Sequence, residues 1–203
     1  MAAPRVTQAD ARDGSRSKIV EAAGQVLAQK GYAATTVDDV IVASGTSRAT
    51  FYRWFASKSE LFDELSRACF TEMREVIRAF GAPVRDRPIE ELVAAYVALH
   101  GRHSGVIRAW SERSSPPSSE MGAEAARAIS TLVQEAGLAI AERRGDQGSA
   151  PLVDAALLFV ALERPSSYLW SRQSRIAPAR LAPTLAAMID RALFNAPVAD
   201  GGS

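Results

Sequence analysis

The chain has 203 residues, 47% apolar and 23% charged, with a formal net charge of +1. That balance suits a globular protein with one small and one sizeable helical domain, and no apolar run approaches the roughly 20 residues of a membrane-spanning helix. Cys69 is the single cysteine, which excludes an internal disulfide and a thiolate metal cage. Residues 1–18 lack the apolar core and cleavage pattern of a secretory signal, so the expected location is cytoplasmic.

Residues 1–14 are polar, contain Pro4 and Gly14, and read as an N-terminal arm carrying Arg5 and Arg12. From Ser15 the pattern turns helical. Ile19, Ala22, Ala23, Val26 and Leu27 form one stripe at three-and-four spacing, and Gly31 supplies a stop. Thr36 with Asp39 three residues on is a capping box: the hydroxyl takes one orphan amide proton and the carboxylate reaches back to another. The helix it opens runs to about Ser44, where Gly45 offers the turn. A third helix begins near Ser47 and includes Phe51, Trp54 and Phe55. Ser57 and Glu60 form a second box, opening a long helix to about Phe80.

Gly81, Pro83 and Pro88 separate this half from the next. Helices are predicted there over about 88–102, 104–113, 118–143, 151–172 and 179–194. No run of alternating β-branched residues reads as a strand, and no internal repeat is visible. The predicted fold is all-α: an arm (1–14), a three-helix domain (15–62), a C-terminal helical bundle (63–196) and a tail (197–203).

Residues 36–55 form a short helix, a turn with glycine and a second short helix, the arrangement of a helix-turn-helix, in which the first helix braces the second. Placed at about 100° steps, Phe51, Trp54 and Phe55 share one side of the second helix and Ala49, Tyr52 and Arg53 the other, with Arg48 and Thr50 at the edges. Ala49 would let the backbone come close to a major groove. Arginine pairs with guanine, and Tyr52 reaches phosphate or a thymine methyl. Thr36, at a helix N-terminus, suits a phosphate oxygen, and the Lys58 ammonium suits the DNA backbone. Between Asp39 and Glu60 there is no acidic residue, while Arg48, Arg53 and Lys58 fall in that window; a near-neutral chain can still present one basic surface. A compact trihelical core with a solvated face would fit the same pattern.

Residues 31–65, GYAATTVDDVIVASGTSRATFYRWFASKSELFDEL, closely resemble the DNA-binding signature of the TetR family of bacterial regulators. Gly31, Tyr32, Thr35, Thr36, Val37, Val40, Ala43, Gly45, Ser47, Thr50, Phe51, Tyr52, Phe55, Lys58, Leu61 and Phe62 fall in register. The resemblance covers about a quarter of the chain; the remainder is similar only in length and helical pattern. It implies a homodimeric regulator, expected to be a repressor of a palindromic operator in double-stranded DNA. It also implies DNA contacts from Thr36, Ser47, Arg48, Ala49, Thr50, Tyr52, Arg53, Trp54 and Lys58. Ile41, Ala49 and Trp54 depart from the family's commoner residues.

In the second half, His100 and His103 have a metal-compatible spacing but no third ligand within two turns, so no metal is expected. No phosphate loop, nucleophile elbow or zincin motif is present, so neither a cofactor nor an enzyme is expected. Residues 152–162 are apolar nearly all round the helix, which asks for burial on more than one side. Leu181, Leu185, Met188, Ile189 and Ala192 form a second stripe. The resemblance implies that helices 151–172 and 179–194 form a four-helix dimer interface; a monomeric core is the alternative. Tyr96, Trp110, Phe159 and Glu163 are candidate walls of a pocket for a small hydrophobic ligand, with Glu163 orienting it. Alternatively, Glu163 pairs with an arginine such as Arg172 or one across the dimer. Two rivals remain for the whole chain: a helical ligand or partner module without DNA binding, and a small helical enzyme. Salt-sensitive, sequence-selective DNA binding or substrate turnover separates the three.

Overall fold

The computed structural model describes residues 8–80, 88–111, 119–145, 151–170 and 174–194. Helix α1 spans Gln8–Lys30 and turns Ile19, Ala22, Ala23, Val26 and Leu27 inward. It begins seven residues before Ser15, so residues 8–14, expected in the arm, are helical. Ala9, Ala11 and Arg12 favour a helix, and Gly14 costs only about 1 kcal/mol against alanine. Residues 1–7 of the arm and the tail at 197–203 lie outside the described residues. α1 ends at Gly31, whose φ of 78° lies in the left-handed region.

Helix α2 (Val37–Ser44) carries the expected capping box: Thr36 Oγ1 accepts from the Asp39 amide, and Asp39 accepts from the Thr36 amide. Gly45, at φ 63°, closes it. Ser47 caps α3 (Arg48–Trp54) by accepting from the Thr50 amide at 3.0 Å. At the start of α4 (Lys58–Arg78), Ser57 accepts from the Glu60 amide as expected. The Glu60 carboxylate, however, reaches back to the amide of Ala56. The remaining helices are α5 (Ile89–Arg102), α6 (Ser104–Ser111), α7 (Ser119–Arg144), α8 (Pro151–Leu169) and α9 (Pro178–Ile189), which runs into a π-helical turn at Asp190–Phe194. The fold is all-α. Among the described residues no helix is long and apolar enough to cross a membrane.

The chain divides into two units, residues 1–69 with 103–122 and residues 70–102 with 123–203. Helix α6, expected in the second domain, packs in the first unit on α1. The reason is Gly105: a Cβ there would lie 2.5 Å from the Ala28 nitrogen, so only hydrogen permits this backbone approach. Arg108 Nη2 then donates to the Leu27 carbonyl at 2.9 Å, an oxygen that also accepts from the Gly31 amide at the end of α1. Trp110 donates to Ser66 Oγ. The core of this unit adds Val40, Phe51, Phe55, Leu61, Phe62 and Leu65 to the α1 stripe. The second unit has its own core, built around Ile77, Phe80, Leu92, Val93, Tyr96, Leu132, Ile140, Leu158, Leu162, Leu185 and Ile189.

Candidate nucleic-acid interface

The two faces of α3 differ sharply. Phe51 and Phe55 are 0% and 3% exposed, anchoring the helix in the first unit's core. Arg48, Ala49, Tyr52 and Arg53 are exposed on the other side, with Tyr52 at 49%. Fixing one face by burial sets the direction of the other, which presents two guanidinium groups, a phenol and a methyl. Thr36 and Ser47 are exposed at the N-termini of α2 and α3, and Thr50 is half-buried. Their hydroxyls are engaged in local contacts, Thr36 with Asp39 and Ser47 with Thr50.

Arg48, Lys58 and Arg53 have partners that the sequence did not suggest. Arg48 Nη2 donates to Asp38 Oδ1 at 2.6 Å, and this contact raises the guanidinium pKa above its ordinary value. Lys58 Nζ donates to the backbone carbonyls of Tyr32, at 3.0 Å, and Thr35, at 2.8 Å. It also lies 4.3 Å from the centre of the Tyr32 ring, and burial draws its pKa down. The ammonium has three donors, so these contacts leave one for another acceptor. Trp54 is half-buried with its indole N–H enclosed and without a hydrogen-bond partner, so it is not presented to a phosphate in this state. Arg53 stacks over the Trp54 ring at 5.6 Å.

Asp39 holds the α2 N-terminus. The hydrogen bond from Lys30, then those from Thr36, lower its carboxyl to about 2. The two adjacent acids therefore have separate partners, Asp39 within the cap and Asp38 on Arg48.

Residues 19–65 match the family model described as bacterial regulatory proteins, tetR family. This segment is similar to the DNA-binding part of the TetR family. The match runs from Ile19, within α1, to the first turns of α4, the segment whose geometry is given above. Among its relatives is the HTH-type transcriptional repressor KstR2 of Rhodococcus jostii, 32% identical over 111 residues, which are 52% of this chain and 53% of that protein. The chain spans about half the length of the curated relatives it matches. Solved structures extend the likeness in fold to most of the chain. The regulator PfmR from Thermus thermophilus has a TM-score of 0.68 at 18% identity, covering 88% of this chain and 95% of that one. FadR from Bacillus subtilis, solved in complex with stearoyl-CoA, has a TM-score of 0.60 at 14% identity, covering 86% and 97%.

Of the expected pocket walls, Tyr96, Phe159 and Glu163 lie in the second unit and Trp110 in the first. Tyr96 is fully buried and donates to Glu163 Oε2 at 3.2 Å; Ser167 donates to Oε1 at 3.0 Å. His100 Nε2 lies 3.1 Å from Oε2, close enough for attraction but not aligned as a hydrogen bond. Burial pushes the Glu163 carboxyl up, but His100, Ser167 and Tyr96 outweigh it and hold it below its usual range. Glu163 is thus paired with residues that the sequence did not suggest as its partners; Arg172, the partner considered there, lies outside the described residues. Phe159 packs half-buried against the core. An open groove of about 550 Å³ lies elsewhere in this unit, bordered by Val97, Gly101, Trp170 and Ala182, none of them among the expected pocket walls. Among the described residues no cluster of three ligating side chains could hold a metal ion.

Proposed function

We propose that this chain is a transcriptional regulator that binds an inverted-repeat operator in double-stranded DNA as a homodimer. The observation that carries the reading is the division of α3, Phe51 and Phe55 inward and Arg48, Ala49, Tyr52 and Arg53 outward, directly after the Gly45 turn. A helix so held can enter a major groove with an arginine for a guanine edge, while Thr36, Ser47, Thr50 and the remaining donor of Lys58 meet the backbone. Trp54 serves as a brace for Arg53.

Exposed apolar side chains on α8 support the homodimer. Val153, Leu157, Val160 and Tyr168 lie along one face, 50–66% exposed, and Met188 is exposed on α9. Covering such a stripe with its symmetry mate removes it from water. A two-fold dimer presents its two α3 helices to successive major grooves about 34–36 Å apart. Repression follows the named repressors among the relatives, and a cytoplasmic location follows from action on operator DNA. A small hydrophobic ligand in the second unit, near Tyr96, Phe159 and Glu163, would release DNA by binding the non-DNA conformation more tightly. The stearoyl-CoA complex of the similar FadR structure supports that class of ligand.

Selecting duplexes from a random pool and footprinting the best one tests the proposal. The expected site has a dyad, and Arg48→Ala costs roughly 1–3 kcal/mol on it while relaxing choice at one base pair. A selected site without a dyad, or no selection at all, overturns the reading.

A further inference from the structure

We infer that Asp38 is a specificity-setting residue of the DNA face, acting through Arg48: its carboxylate aims the guanidinium at a base edge and denies it to the phosphates. This rests on the DNA-binding function proposed above. Asp38 stands in the first turn of α2, and the side chains of Asp38 and Arg48 are 66% and 63% exposed. An ion pair so open to water adds little to folding. Nor does α2 need Asp38 as a cap, because Asp39 already fills that role. What the pair does change is the state of Arg48. One of the five guanidinium donors is committed at 2.6 Å, which fixes the direction of the rest. That leaves enough for the two-donor contact with guanine O6 and N7.

The carboxylate also alters the electrostatics of approach. An unpaired exposed arginine neutralises any phosphate it meets and releases a counterion, whatever the sequence. Paired to Asp38, the same arginine brings almost no net charge, and a phosphate entering its place would meet the carboxylate 2.6 Å from the guanidinium nitrogen. A guanine edge carries no such charge and is admitted. Random duplex is therefore disfavoured more than the operator, a repulsive device as well as an attractive one.

The size of the effect follows from counterion release. One extra phosphate contact makes the affinity scale with about one further −0.9 power of salt, roughly fivefold at 0.15 M. The test measures binding of the wild type, Asp38→Asn, Asp38→Ala, Arg48→Ala and the Asp38→Asn/Arg48→Ala double variant over a salt series. The probes are the best duplex selected by the wild type and a random duplex of equal length. Asp38→Asn and Asp38→Ala should each bind random duplex about fivefold more tightly, with a log–log salt slope steeper by about one unit. Neither should gain on the selected duplex, so the ratio of the two affinities falls at least about fivefold. In the Arg48→Ala background the Asp38 substitution should leave that ratio unchanged. If it tightens both duplexes equally, or lowers the ratio as much without Arg48, Asp38 is a general negative charge and the inference is overturned. A wild type that selects no duplex overturns the proposed function, and this inference with it.

Discussion

Replacing Lys58 by alanine should destabilise the first unit as well as weaken DNA binding. The ammonium donates to two carbonyls, of Tyr32 and Thr35, and faces the Tyr32 ring. Hydrogen bonds to a charged group contribute about 1.5–3 kcal/mol each, and an exposed cation–π contact about 0.5–1 kcal/mol. Two effects offset the gross loss. The site is partly open, so water can replace the ammonium on the carbonyls, and the variant no longer has a partly buried charge to desolvate. A net loss of about 2–3 kcal/mol remains. At about 2–4 °C per kcal/mol for a chain of this size, the melting temperature should fall by roughly 4–12 °C. Circular-dichroism melts of Lys58→Ala and Lys58→Met measure this, and hydrogen exchange at the α2 amides locates it. On operator DNA the salt slope should become shallower by about one unit. Melting within about 1 °C of the wild type, with the slope still shallower, would refute the account: Lys58 would then act on phosphate alone.

Three further outcomes follow. Asp39, with a folded pKa of about 2 against an ordinary 3.8, stabilises the first unit fully above pH 3.8 and progressively less down to about 2. Acid melts of the wild type should therefore lose ground to Asp39→Asn across that window, and parallel curves would contradict it. Gly105→Ala would put a Cβ 2.5 Å from the Ala28 nitrogen, where backbone rather than a side chain must move. It should cost at least about 1–3 kcal/mol, read as a lower melting temperature than for Gly14→Ala, whose Cβ meets nothing within 4 Å. Val160→Asp, on the exposed stripe of α8, should convert a dimer to a monomer in analytical ultracentrifugation while leaving the helical content unchanged, since Val160 is 66% exposed and lies outside the core.

The helix-turn-helix was legible because its determinants are local. Thr36 and Asp39, Gly45, and Ser57 with the Glu60 amide act within four residues, and the apolar spacing of α3 separates its two faces. What escaped is set by tertiary structure. The partners of Lys58 are main-chain carbonyls 23 and 26 residues away, a role that no side-chain type announces. Asp38 meets Arg48 across the turn, ten residues apart, outside any helical spacing. The Tyr96 hydroxyl that donates to Glu163 is 67 residues distant, beyond any local spacing. Nothing in the spacing marked Gly105, whose missing Cβ admits the backbone of α1 and draws α6 into the first unit.

The three tryptophans give this chain a ready-made optical assay. Trp54 and Trp110 belong to the first unit and Trp170 to the second. Trp170 donates to the Val97 carbonyl at 3.0 Å and lies so close to Gly101 that a Cβ there would come within 2.6 Å of its ring. Replacing Trp54 and Trp110 by phenylalanine would leave a single indole emitter whose quantum yield and emission maximum respond to that hydrogen bond and to water in the neighbouring groove. Ligand titrations could then be followed from the second unit alone, without a dye, a label or DNA in the cuvette.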